Sequence, residues 1–177
     1  LQEKNMKIIW IDGTFGIGKS AVAAAIVEEI PQAHLLEFDA LQEKYKPTSI
    51  SDYFGKRYPE AKKYLVDALV DEITEIIQEG SCDCLVIPVA LINDYCNQKL
   101  IDGFANIESH HFILTAKKEI LHQRINNQEN RDIDLAVTYM PEATQYLSSH
   151  YYDASRIDTS NMSIDSVAKE IIESITR

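Results

Sequence analysis

The run Gly13-Thr14-Phe15-Gly16-Ile17-Gly18-Lys19-Ser20 constrains this chain more than any other feature. It follows the pattern glycine, four variable residues, glycine, lysine, serine or threonine without a substitution. It also stands where such a run has to stand. Lys7 to Ile11 reads as a strand ending at Asp12. Ser20 to Ile30 reads as a helix, with Val22, Ala25, Ile26 and Ile30 on one face and Pro31 just past its end. Glycine opens backbone torsions closed to other residues, so successive N–H groups can turn inward around an anion. A helix starting at Lys19 aims the positive end of its dipole at the same point. The run is therefore read as a phosphate-binding loop. Lys19 is placed to reach the β- and γ-phosphates of a nucleoside triphosphate, and the Ser20 hydroxyl to ligate magnesium. Gly13, Thr14, Phe15, Gly16, Ile17, Gly18, Lys19, Ser20 and Ala21 are the expected nucleotide contacts, with Lys19 also catalytic. A glycine-rich turn without a ligand is the bland alternative, and the strand–turn–helix setting weighs against it.

Downstream, strand patterns alternate with helix patterns. Strands are expected at His34–Phe38, Cys84–Val89, His111–Thr115 and Ser155–Asp158. The run from Cys84 to Val89 is almost wholly apolar, as in a strand buried on both faces. Helices are expected from Pro59 to Gln78, Asn93 to Phe104, Lys117 to Asn127 and Leu135 to Ser149. A last helix is capped by Ser163, with Ile164, Val167, Ala168, Ile171, Ile172 and Ile175 as its stripe. Leu41 to Tyr58 has no clear pattern. Alternation of this kind means β-α-β units and a parallel sheet. With 177 residues and no repeat or linker, residues 1–177 are read as one α/β domain.

The class of phosphate-binding protein follows partly by elimination. Many ATPases hold magnesium with an acid at the end of an apolar strand. Here Leu85-Val86-Ile87-Pro88-Val89 offers none, and no Asn-Lys-x-Asp segment is present to read guanine. Small-molecule kinases remain, in which transfer rests on positioning and charge neutralisation. Two arginines fit that reading. Arg124 lies in a helix, and Arg131 in the polar loop Gln128–Asp134, a candidate lid that excludes water and meets charge on the transferred group. Both are also ordinary candidates for solvated surface charges. Asp39, at the tip of the second expected strand, can hold a magnesium-bound water or take the proton of an acceptor hydroxyl. It fits a capping box with Ala40, Leu41 and Gln42 equally well. Aromatic and basic residues interleave between Lys44 and Tyr58. That suits a flat acceptor bearing phosphate or sugar, with Arg57 as a contact, or else plain surface.

The formal net charge of −11 argues against non-specific binding to nucleic acid or anionic membranes. The apolar runs are too short to span a bilayer. Three cysteines form no disulfide framework, and Cys82 and Cys84 lack partners for a zinc site. With no signal peptide visible, a cytoplasmic location is expected.

Several segments together resemble a known family. The run KIIWIDGTFGIGKSAVAAAI, the strand CLVIPVAL, the run HHFILTAKKEILHQRI and the close RIDTSNMSIDSVAKEII are similar to the tunicamycin-resistance P-loop proteins, within the shikimate-, adenylate- and gluconate-kinase-like group. The resemblance implies the P-loop NTPase fold: a five-stranded parallel sheet of order 2-3-1-4-5 flanked by helices, with a small lid. It implies ATP and magnesium, with Arg124 against adenine and Arg131 in the lid. The stretch after Asp39, with Arg57, would line the acceptor pocket. The chain departs from the group in its short loop after Gln128, with one arginine, and between Tyr45 and Pro59. The leading expectation is a kinase that phosphorylates a small acceptor: a nucleoside, a sugar or a nucleoside-like antibiotic. The alternative is a nucleotide-binding resistance protein that sequesters its ligand and transfers nothing. Acceptor identity and oligomeric state are not written in the sequence.

Overall fold

The computed structural model describes residues 6–38, 40–41, 63–127 and 133–176. Its centre is strand β1 (Lys7–Gly13), of which every residue after Lys7 is buried. β1 pairs in parallel with β3 (Cys84–Pro88) on one side and with β4 (Glu108–Thr115) on the other. The outer strands β2 (Ala33–Leu35) and β5 (Ser155–Asp158) add to β3 and β4, also in parallel. The sheet order is β2-β3-β1-β4-β5. That is the expected fold.

Side chains alternate across β1, so each face serves a different layer. Ile9 and Ile11 join Val86, Phe112 and Leu114 under α1 (Lys19–Glu29), α4 (Lys118–Asn126) and α6 (Ile164–Ile175), which contribute Val22, Ile26, Leu121, Ile125, Val167 and Ile171. Ile8 and Trp10 join Leu85 and Ile87 on the opposite face. There they meet Leu65, Leu69 and Ile73 of α2 (Lys63–Glu79) and Cys96 and Leu100 of α3. α3 is a turn of α-helix (Asp94–Cys96) running into a π-helical turn (Asn97–Asp102). α5 (Ile133–Ser149) lays Ala136 and Met140 on the first layer. Trp10 is 1% exposed.

Three expectations change. β2 ends at Leu35, not Phe38; Phe38 is helical, and it is buried in the second layer. The alternating Leu36 and Phe38 mark burial, while the sheet pairing has already ended. In α6 the stripe is narrower than expected: Val167, Ala168 and Ile171 are buried, but Ile164 is 47% exposed in the first turn. In α1 the buried residues are Val22, Ala23 and Ile26, with Ala25 and Ile30 packed at the margin. Ser163 caps α6 as expected, accepting the Ser166 N–H. Among the described residues no helix is long and apolar enough to cross a membrane.

Candidate active site

The loop between β1 and α1 takes its shape from two glycines. Gly13 has φ 146°, and a Cβ there would lie 2.9 Å from the carbonyl oxygen of Leu114. Gly16 has φ 74° and sits against Ile125 of α4, where a Cβ would collide with the Ile125 side chain. These are left-handed or mirror conformations that side chains resist. Gly18 caps α1 without a side-chain hydrogen bond, and the first turn of the helix carries no acid. The helix N-terminus is thus left open to an exogenous anion.

Lys19 folds back over the loop. Its Nζ donates to the carbonyls of Gly13 and Thr14, each at 3.0 Å. The Thr14 hydroxyl oxygen is buried without a hydrogen-bond partner. Ser20 Oγ donates to Glu37 Oε2 at 3.1 Å. This brings a carboxylate to the loop from just beyond β2. Glu37 was not among the expected site residues. It lies between two buried apolar residues, Leu36 and Phe38, and in sequence reads as the solvent-facing member of a longer strand. Because β2 stops at Leu35, Glu37 turns toward the phosphate loop. An acid within a few residues of the second strand's end is the sequence signal for it.

Of the other expected loop contacts, Thr14 and Ile17 are buried, Phe15 packs at the margin of the first layer, and Ala21 is exposed. Arg124 reaches the loop from α4. Its guanidinium donates to the carbonyl of Ile17 at 3.4 Å, to Thr159 Oγ1 at 2.9 Å and to the Thr159 carbonyl at 2.8 Å. Thr159 is 3% exposed and is held in turn by its amide and hydroxyl on the Thr115 carbonyl. The turn after β5 is fixed further by Asp158, which accepts from the Ser160 amide and hydroxyl. The Ser160 hydroxyl and amide hold the Asp158 carboxyl below its ordinary value. Arg124, the phosphate loop and the Asp158–Ser160 turn are therefore tied together by hydrogen bonds. Asp39, Arg57 and Arg131 lie outside the described residues, as do most of the expected lid loop and the acceptor stretch.

The base of the loop holds a polar cluster that local pattern did not reveal. Asp12 is fully buried. Its Oδ1 accepts from the amides of Gly13 at 2.7 Å and Leu91 at 3.1 Å. Its Oδ2 lies 3.0 Å from His111 Nε2. His111 is thereby held as a hydrogen-bonded histidine at the margin of the core. Among the described residues there is no cluster of acids, histidines and cysteines suited to a dedicated metal cage.

No protein-family model matches the chain, and no curated protein matches it in sequence. Solved structures match it over nearly their whole lengths. A tunicamycin resistance protein from Deinococcus radiodurans is 19% identical, with TM-score 0.67 and 96% of each chain covered. A sugar kinase from Janibacter sp. is 13% identical, with TM-score 0.72, covering 97% of this chain and 95% of that one. A shikimate kinase from Bacteroides thetaiotaomicron is 14% identical, with TM-score 0.65, covering 97% and 99%. These are the groups that the sequence segments resemble, and at such identities the likeness speaks to architecture: the chain has the fold of the P-loop kinases, with its sheet in the order 2-3-1-4-5.

Proposed function

We propose that this protein is a kinase that moves the terminal phosphoryl group of ATP to a hydroxyl of a small acceptor. The observation that carries the reading is the convergence at the loop. The Lys19 ammonium, the open N-terminus of α1 and the Ser20–Glu37 oxygen pair meet at the carboxyl end of β1. That end of a parallel sheet is where ligands bind in such folds. The buried, unpartnered Thr14 hydroxyl is a further polar atom that a phosphate oxygen can complete.

The donor set suits magnesium. A hydroxyl beside a carboxylate is a hard-oxygen pair, and magnesium is held by few protein ligands together with substrate phosphates. Ser20 would ligate it directly, with Glu37 orienting its shell. Bound there, magnesium neutralises charge on the β- and γ-phosphates. Lys19 exchanges its hold on the Gly13 and Thr14 carbonyls for phosphate oxygens. Arg124 and the Asp158–Ser160 turn flank the base. In transfer, the bond from the γ-phosphorus to the bridging oxygen breaks, and ADP leaves. A bond to the acceptor oxygen forms, and its proton passes to a carboxylate, the role given to Asp39. Arg131 meets the charge on the moving group, and Arg57 contacts the acceptor. A location in the cytoplasm fits the use of ATP.

The test is acceptor-dependent ADP release over a panel of nucleosides, sugars and uridine-containing antibiotics, with product mass read by spectrometry. A product heavier by one phosphoryl group, absent with Lys19→Ala, is expected. Tight ATP binding with no phosphorylated product from any acceptor would favour the second reading, a protein that sequesters ligand. That reading draws support from the resemblance to the tunicamycin resistance protein.

A further inference from the structure

The polar cluster under the phosphate loop closes on itself. Asp12 accepts the Leu91 N–H. The Leu91 carbonyl accepts the Tyr151 hydroxyl at 2.9 Å. The Tyr151 ring meets His111 edge to face, with centroids 4.8 Å apart and planes at 72°. His111 Nε2 returns to Asp12. Four pieces of chain far apart in sequence are joined this way: the end of β1, the loop after β3, β4 and the connection from α5 to β5. Leu91 is fully buried and held at both its amide and its carbonyl.

Two features set this circuit apart from ordinary core packing. The first is strain. Tyr151 has φ 58°, a conformation that bulky residues adopt only when their surroundings enforce it. Burial, with the charge of Asp12 adding to it, pushes the Tyr151 phenol well above its ordinary value, so it stays a donor. The second feature is the shared oxygen. Asp12 Oδ1 takes the amide of Gly13, the first residue of the phosphate loop, and the amide of Leu91 together. On the far side of Gly13, its carbonyl holds Lys19 Nζ. A continuous line therefore runs from Lys19 through Gly13 and Asp12 to Leu91. When a phosphate draws Lys19 away, Gly13 loses a partner at its carbonyl and keeps Asp12 at its amide. A buried carboxylate cannot shed its donors cheaply, so any shift it makes is passed to the amide it shares.

We infer that Asp12 is a positioning residue that transmits occupancy of the phosphate loop to residues 89–93, with His111 and Tyr151 anchoring it. These residues follow β3 and lead into α3, whose first residue, Asp94, accepts the Tyr146 hydroxyl at 2.7 Å. The device sets the loop after β3, on the same sheet edge as the phosphate loop, once nucleotide is bound. It rests on the nucleotide-binding reading and adds an ordered sequence to it: nucleotide first, then the neighbouring loop.

The experiment is amide hydrogen exchange on the full chain, with and without magnesium and the non-hydrolysable analogue AMPPNP, alongside calorimetry for binding. In the wild type, AMPPNP is expected to slow exchange several-fold in peptides covering residues 89–93. Tyr151→Phe removes one hydroxyl and keeps the ring. It should bind AMPPNP within about threefold of wild type, yet lose most of that slowing. Asp12→Ala, which removes the shared oxygen, should lose it too, and Tyr151→Phe carries the test alone should Asp12→Ala fail to fold. A wild type that binds AMPPNP with no change at 89–93, or a Tyr151→Phe protein that keeps the whole change, overturns the inference and leaves nucleotide binding standing. Absence of AMPPNP binding by the wild type overturns both.

Discussion

On the proposed reading, nucleotide binding depends most directly on Lys19 and Ser20. Lys19→Ala and Ser20→Ala are expected to abolish binding of magnesium nucleotide while leaving the fold intact, because both side chains bond at a loop held by its glycines. Calorimetry checks this, and a folded Lys19→Ala protein with unchanged ATP affinity would contradict it. Asp39 has a sharper test. Asparagine caps a helix as well as aspartate does but takes no proton. Asp39→Asn is expected to keep stability and ATP binding and to lose transfer; full transfer would leave only the cap. Cysteine chemistry adds a third expectation. Burial pushes the Cys84 thiol up from its ordinary 9.0 to about 11, with Cys82 and Cys84 both buried. A thiol whose folded value lies above its unfolded one adds stability that is complete below pH 9 and disappears as pH rises toward 11. Denaturant titrations should show that alkaline loss, and Cys84→Ala should blunt it.

At the scale of elements, burial separates residues that sequence placed on one stripe. Ile171 of α6 is fully buried, while Ile164 is 47% exposed. Ile171→Ala should cost about 2–5 kcal/mol in chemical denaturation. Ile164→Ala should stay within about 0.5 kcal/mol. Similar costs for the two would refute the packing described. The elements also show what was legible in the sequence. β1, the phosphate loop and α1 were readable because a glycine pattern, an apolar run and a helix pattern coincide within a short stretch. β3 was readable because burial on both faces leaves it wholly apolar. β2 was misread because Leu36 and Phe38 are apolar two apart, as in a strand, while Phe38 in fact fills the α2 layer from a helical turn. Glu37 was missed through the same error. Asp12 escaped notice for another reason: its partners Leu91 and His111 are 79 and 99 residues away, and no local pattern encodes such a pairing.

For the whole molecule, ligand linkage gives the broadest test. A nucleotide that binds the folded chain raises its melting temperature by mass action. ATP is expected to raise it more than GTP at equal concentration, since the proposed base contacts are Arg124 and the Asp158–Ser160 turn and the sequence holds no Asn-Lys-x-Asp segment to read guanine. An equal or larger shift with GTP would count against that assignment. One more property follows from where Trp10 sits. It is the chain's single tryptophan, buried on the α2 face, two residues before Asp12 and registered beside His111. Every photon emitted by indole in this protein therefore comes from one spot beneath the phosphate loop. A protonated imidazole or a displaced carboxylate nearby alters the yield of that one fluorophore. The native chain thus carries its own optical gauge of that spot, by which entry of the proposed nucleotide is expected to be followed in a cuvette, in real time, without a label.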